Sequence, residues 1–259
     1  MIPYIEIPSL EVAGTTLSPF GILCAIGCIV GWLVARREAV SKGLDPAVID
    51  NCLFWTVVPG FFTSRLFDLV FYNPELFLKE PWSVFLFWKT MSSFGGFFGG
   101  AAGVIGYLRY TGRPVLRYLD CLIVGLVVGF PFGRLGCAIV HDHPGSYTSF
   151  PLGVVYPDGT RHDLGLYECL FTTLIMLVVM RVRRDSLPPG ELLGWICVAY
   201  APVRFLMDFL RVADRQYMGL TPGQYFAVLL LSLGLFLVVR ARHSSAVVAG
   251  RNVGRAADG

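Results

Sequence analysis

Seven apolar stretches, about 18–35, 53–71, 93–108, 119–140, 164–180, 192–210 and 222–239, run through this 259-residue chain. A helix needs about 20 consecutive apolar residues to cross a bilayer, and most of these stretches come near that length. Lipid leaves no water to satisfy the backbone, so such segments must close their hydrogen bonds internally, as helices. Composition agrees. Charged residues make up 15% of the chain, against roughly 25% in a soluble domain, and the mean hydropathy is +0.63. The expected fold is therefore all-α, a polytopic membrane protein of about seven transmembrane helices. Residues 1–240 form one membrane domain, and 241–259 form a disordered tail. Glycine is frequent in the apolar stretches, which suits close helix packing in lipid. The interrupted aromatic segment 77–88 fits an interfacial or re-entrant piece better than a span.

Orientation follows from the basic residues. Arg36, Arg37, Lys42, Arg109, Arg113, Arg117, Arg181, Arg183, Arg184, Arg240, Arg242, Arg251 and Arg255 lie in one set of alternating connections, thirteen in all. Lys79, Lys89, Arg161, Arg211 and Arg215 make up the other five. Thirteen against five puts the N-terminus outside and the C-terminus in the cytoplasm. The first basic residue is Arg36, so no cleaved signal peptide is expected. The net charge of +3 carries no nucleic-acid stripe. The seven cysteines, at 24, 28, 52, 121, 137, 169 and 197, lack paired spacing and read as small core residues.

Three arginines, Arg65, Arg134 and Arg204, remain inside or at the ends of spans. A charge in hydrocarbon costs at least about 2.5 kcal/mol, which makes each of them a candidate functional group. Arg65 and Asp68 are one turn apart and read as a structural pair. Arg204, Asp208 and Arg211 share a helix face, where Asp208 can neutralise only one arginine. Arg134 has no acid within a turn, and Glu168 is the candidate partner from another helix. Arginines converging in a dry site suit phosphate, because the guanidinium fork matches its oxygens.

Six motifs then line up in order: SRLFDLVFYNPELF (64–77), SFGGFFGG (93–100), FGRLGC (132–137), LYE (166–168) after His162, VRFLMDFLR (203–211) and PGQ (222–224). Together they resemble the prolipoprotein diacylglyceryl transferases of the bacterial inner membrane. The resemblance implies transfer of a diacylglyceryl group from phosphatidylglycerol to a cysteine thiol of a prolipoprotein, without cofactor, metal or nucleotide. Phosphatidylglycerol, the prolipoprotein signal peptide and membrane lipids are the implied partners. It further implies that Arg134, Arg204 and Arg211, with Gly133 and Gly136, hold the phosphate. Arg134, Arg204 and Glu168 are then the expected catalytic groups, with Asp208 and Tyr167 orienting the site, and His141 is the candidate stand-in for the base that this chain lacks.

The chain departs from the family pattern at four places. Phe94 stands where a histidine is expected, Phe20 where a tyrosine is, Cys137 where an asparagine is, and Asp163 to Gly165 replace Pro-Ser-Gln. Phe neither accepts a proton nor donates a hydrogen bond. A replacement base from His141, Asp142 and His143 is one reading, and a solvated loop that caps helices is another. A zinc site of His141, His143 and His162 is a third. The alternative to an enzyme is a catalytically silent, lipid-binding relative that keeps the headgroup pocket. A transporter is weaker, since no repeated half with paired broken helices is visible.

Overall fold

The computed structural model describes residues 1–5, 7–12, 15–86, 90–182, 186–212 and 216–257. Lys89, Arg183, Arg184 and Arg215, which enter the charge asymmetry, lie outside the described residues. The chain is mostly helical: α1 Pro19–Ser41, α2 Pro46–Phe67, the short α3 Pro74–Lys79, α4 Ser93–Tyr110, α5 Val115–Val140, α6 Leu164–Arg181, α7 Glu191–Met207 and α8 Pro222–Ala257. Starts are locally encoded. The Ser18 hydroxyl accepts from Gly21 N at 3.0 Å and the Asp45 carboxylate from Ala47 N at 3.0 Å, each with proline in the first turn.

Among the described residues six helices are long and apolar enough to cross a membrane, and α4 is the long helix there that falls short. It is glycine-rich, and glycine adds little hydropathy per residue. Segment 77–86 is no span: α3 gives way to a 3₁₀ turn at Pro81–Phe85, with Leu78, Trp82 and Phe85 exposed. The helix α8 continues past residue 240 to Ala257, where a disordered tail was expected.

The all-α expectation needs correction at one end of the bundle. Strands β1 Ile2–Pro3, β4 Pro144–Tyr147, β5 Val154–Tyr156 and β6 Gly159–Asp163 form a sheet in the order β1-β5-β6-β4. Strands β2 Leu10–Val12 and β3 Thr15–Leu17 form a separate antiparallel pair. The turn between β5 and β6 is Pro157-Asp158-Gly159, with Gly159 at φ 134°, a conformation that needs glycine.

Hydrogen bonds sort the helix ends into two groups. At the sheet end, β1 pairs with β5, Gly145 bridges to Arg211, Ser92 N donates to Ser64 O, and Tyr217 Oη donates to Phe71 O. At the other end, Arg113 meets Asp45, Gly190 N donates to Asp120 Oδ2 at 2.6 Å, and Arg242 meets Glu191 at 3.2 Å. The long helices therefore alternate in direction, and the C-terminal ends of α5 and α7 meet the N-terminal end of α6.

Small residues let the helices approach closely. A Cβ on Gly125 of α5 would lie 2.3 Å from Gly31 O of α1, and one on Gly129 would lie 2.3 Å from Gly27 O. Both helices thus present a Gly-x-x-x-Gly face, the packing that lipid favours where no hydrophobic force joins apolar helices. Beyond this seam, Ala35, Ala39, Cys52, Leu108, Tyr118 and Cys121 form a core. Cys28 is exposed, unlike the other cysteines, and no disulfide forms.

Candidate functional site

The intramembrane charges meet at the sheet end of the bundle. Arg134 stands in the last two turns of α5, Glu168 near the start of α6 and Arg204 in the last turn of α7. Asp208 opens a 3₁₀ turn that follows α7, with Arg211 just after it. Their side chains form a chain of alternating sign. Arg134 Nη1 lies 2.7 Å from Glu168 Oε2, and Arg204 Nε lies 3.3 Å from Glu168 Oε1. Arg204 Nη1 donates to Asp208 Oδ1, which faces Arg211 Nε at 3.6 Å. Glu168, Arg204 and Asp208 are buried, and the Arg134 side chain is 11% exposed. Glu168 thus stands between two guanidinium groups in a largely dry place.

The support of this chain comes from α8. Thr221 and Gln224 form a capping box: Gln224 N donates to Thr221 Oγ1 at 3.1 Å, and Thr221 N donates to Gln224 Oε1 at 2.9 Å. The same Thr221 hydroxyl donates to Asp208 Oδ2, and Gln224 Nε2 donates to Phe205 O at 3.4 Å. A Cβ on Gly223 would lie 2.2 Å from Asp208 Oδ2, so glycine alone lets α8 start here. The Thr-x-x-Gln spacing was readable as a cap, and Thr221 is the site residue that sequence reasoning passed over. Tyr200, one turn before Arg204, was also missed; it lies in the electrostatic reach of Glu168, Arg134 and Arg204.

Aromatic rings close the remaining sides. The Phe130 ring lies 4.8 Å from the Arg134 guanidinium carbon, and the Phe94 ring lies 5.5 Å from that of Arg204. The position expected to hold a histidine therefore touches the site but offers it a hydrocarbon face. Arg134 Nε is buried without a hydrogen-bond partner among the described residues. A buried donor left open in this way costs about 1–3 kcal/mol, which an incoming acceptor would recover.

Other sequence-predicted residues stand apart from the arginines. A Cβ on Gly133 would meet Cys24 Sγ at 3.5 Å, and one on Gly136 would meet Phe20 Cα at 3.0 Å, so both glycines face α1 as packing positions. Tyr167 turns to the sheet, where its hydroxyl lies 2.9 Å from His162 Nδ1 and donates to Leu152 O at 3.4 Å. His141 ends α5 in the left-handed conformation, φ 51°, with Nδ1 2.6 Å from Asp163 Oδ2 and its ring stacked on Tyr4. Asp163 also accepts from Tyr156 Oη at 3.0 Å and caps α6 through Leu166 N at 2.9 Å. Burial and the neighbouring Asp163 push the Tyr156 hydroxyl upward, and burial holds His162 below its ordinary value. With His141 on Asp163 and His162 on Tyr167, the three histidines of the zinc reading are not gathered.

Arg65 and Asp68 form the expected pair at 2.8 Å. Arg65 also donates to the carbonyls of Ser83 and Thr90, and so fastens the 3₁₀ turn to α2.

The family model described as Prolipoprotein diacylglyceryl transferase matches residues 9–240. Curated relatives named phosphatidylglycerol–prolipoprotein diacylglyceryl transferase align over most of both chains. The relative from Methylocella silvestris is 30% identical over 265 residues, covering 95% of this chain and 97% of its own. That from Nitratidesulfovibrio vulgaris is 29% identical and covers 94% and 98%. That from Geobacter sulfurreducens is 32% identical and covers 85% and 86%.

Proposed function

The chain belongs to the prolipoprotein diacylglyceryl transferase family, and on that premise we propose that it moves the diacylglyceryl group of phosphatidylglycerol to a prolipoprotein cysteine thiol. The supporting observation is that two guanidinium groups, Arg134 and Arg204, converge on Glu168 in a largely buried place. A phosphodiester headgroup would meet both, and Arg134 Nε offers an open donor. The thiol loses its proton and its sulfur bonds to the glyceryl carbon. The carbon–oxygen bond to phosphate breaks, and glycerol phosphate leaves with the electron pair. Charge on that phosphate grows as the bond breaks, so guanidinium donors aimed at it stabilise the transition state more than the ground state.

In this reading Arg134 and Arg204 bind and polarise the phosphate, with Arg211 beside them. Glu168 and Asp208 hold the arginines in place. Membership also supports seven spans with α4 as one of them, and residence in the bacterial inner membrane. The basic residues put the sheet end outside and the C-terminus in the cytoplasm. Lipid headgroup and signal peptide then meet at the outer leaflet.

One observation favours a second reading. The Phe94 ring at Arg204 leaves no proton acceptor at that position, which suits a silent relative that binds phosphatidylglycerol without turning it over. The test incubates the purified protein with labelled phosphatidylglycerol and a lipobox peptide. Thioether formation that falls in Arg134→Lys supports the transferase, because an ammonium loses the bidentate fork. Tight lipid binding with no product at any pH supports the silent binder. Arg134→Ala with unchanged lipid affinity refutes the headgroup site itself.

A further inference from the structure

The turn that ends α5 gathers three metal-ligating side chains beside the ion chain, with the Cys137 thiol in reach of Arg134. Left-handed His141 folds the chain back over the last helical turn, and this returns Asp142 and His143 to Cys137. One ligand atom from each, a thiol sulfur, a carboxylate oxygen and an imidazole nitrogen, lie within 4.8 Å of one another. Cys137 is buried at 4% exposure, while the Asp142 and His143 side chains are 38% and 27% exposed. The backbone is pinned: Leu164 N donates to His143 O at 3.2 Å, and Pro144 begins β4 opposite Asp163.

We propose that Cys137, Asp142 and His143 bind a thiophilic divalent cation of the Zn²⁺ class, with the fourth position open toward the exposed side. The donor set argues for this ion. Ca²⁺ and Mg²⁺ take oxygen ligands, whereas a thiolate with imidazole and carboxylate suits Zn²⁺. Ligands about 2.0–2.3 Å from a tetrahedral ion stand about 3.3–3.8 Å apart, so closure needs about an ångström of side-chain movement. His143 Nδ1 lies 3.0 Å from Asp142 Oδ1, and a bound cation would take the place between them. Thiolate and carboxylate balance its two charges, which leaves the nearby Arg134 facing no net repulsion.

Three protein ligands and one open place form the catalytic type of site, not the closed structural type. Given the transferase reading, on which this role rests, the open place takes the acceptor thiol. A coordinated thiol is deprotonated outright, its proton passing to water. The nucleophile is thereby supplied beside Arg134 without a basic side chain at position 94.

The test needs no activity. The full-length protein, purified in detergent without chelator, is analysed for bound metal. It is then stripped, titrated with Co²⁺ and followed by thiolate-to-metal charge-transfer absorption. Stoichiometric zinc and a charge-transfer band support the site. So does loss of that band in Cys137→Ser. His143→Ala and Asp142→Asn, both on the exposed side, should weaken Co²⁺ binding by more than the ten- to hundred-fold that an outer-shell partner is worth. Retained phosphatidylglycerol binding by these variants shows that they are folded. A Co²⁺ spectrum without the thiolate band, or equal Co²⁺ affinity in wild type and the variants, overturns the site. A protein that binds zinc but transfers nothing refutes the transferase reading and leaves the site standing. Transfer by metal-free protein, unchanged by chelator, leaves the transferase reading standing and refutes the metal's part in the reaction.

Discussion

Glu168→Gln separates a charge chain from a merely polar cluster. Glu168 is 3% exposed and lies between Arg134 at 2.7 Å and Arg204 at 3.3 Å. The substitution keeps the shape of the side chain but removes the negative charge between the two guanidinium groups. Removing one partner from a buried pair costs about 3–5 kcal/mol, because the other charge stays behind uncompensated. At about 2–4 °C per kcal/mol for a domain near this size, the melting temperature falls by about 6–20 °C. Added phosphatidylglycerol should then recover more of the loss in the variant than it adds to wild type, since its anion meets a larger field. Diacylglycerol, which keeps the tails and lacks the phosphate, should recover nothing. The assay is thermal unfolding in detergent with each lipid in turn. A variant that melts with wild type, or one rescued equally by diacylglycerol, refutes the reasoning.

Four further outcomes are expected. Gly125→Leu should destabilise the bundle by at least about 1–3 kcal/mol through overpacking, because even a Cβ would lie 2.3 Å from Gly31 O; unchanged unfolding contradicts the α1–α5 seam. His141→Ala should cost about 1.5–3 kcal/mol of stability, the worth of a hydrogen bond to a charged group, while phosphatidylglycerol affinity stays unchanged; lost affinity at full stability places His141 in the site after all. A reporter fused after Arg242 should read cytoplasmic and one fused after Ser146 periplasmic, and the inverse result overturns the outward placement of the arginines. Burial depresses His162, so the folded chain binds its proton less readily than the unfolded chain. Its contribution is fully present above about pH 6.5 and fades as the pH falls, and an imidazole shift midpoint at or above 6.5 argues against it.

What could be read from the sequence was whatever lipid and Coulomb's law dictate directly. Apolar length located the long helices, and the missing local acid at Arg134 pointed correctly to Glu168. Facing was harder. Consecutive helical residues diverge by about 100°, so Tyr167 cannot aim where Glu168 aims. Nor do Gly133 and Gly136 share a face with Arg134; they turn to α1. The sheet was invisible because its strands are two to five residues long and β1 joins it from the far end of the chain. Its single local sign was the Pro-Asp-Gly turn. The placement of His141 was hidden for a related reason. A histidine near an arginine in sequence looks available, but a left-handed cap turned its ring toward Tyr4 and Asp163.

Phe94 bears on the arginine beneath it as well as on the absent base. An aromatic ring supports a cation without taking any of its N–H donors, and it excludes water from that side. In a drier surrounding the guanidinium acts on a nearby anion through a lower effective dielectric, so its pull on a phosphate oxygen strengthens. Transfer poses two problems, stabilising the departing phosphate and deprotonating the arriving thiol. A polar residue at position 94 could serve the second only while admitting water or competing for donors needed by the first. In the proposed reaction the two tasks fall to different groups around Arg134. Phe94 and Asp208 flank Arg204 on one side, whereas Cys137, Asp142 and His143 cluster one turn beyond Arg134 on the other. Arg134 is the residue common to both sides, which makes it the position where binding and thiol activation would be lost together.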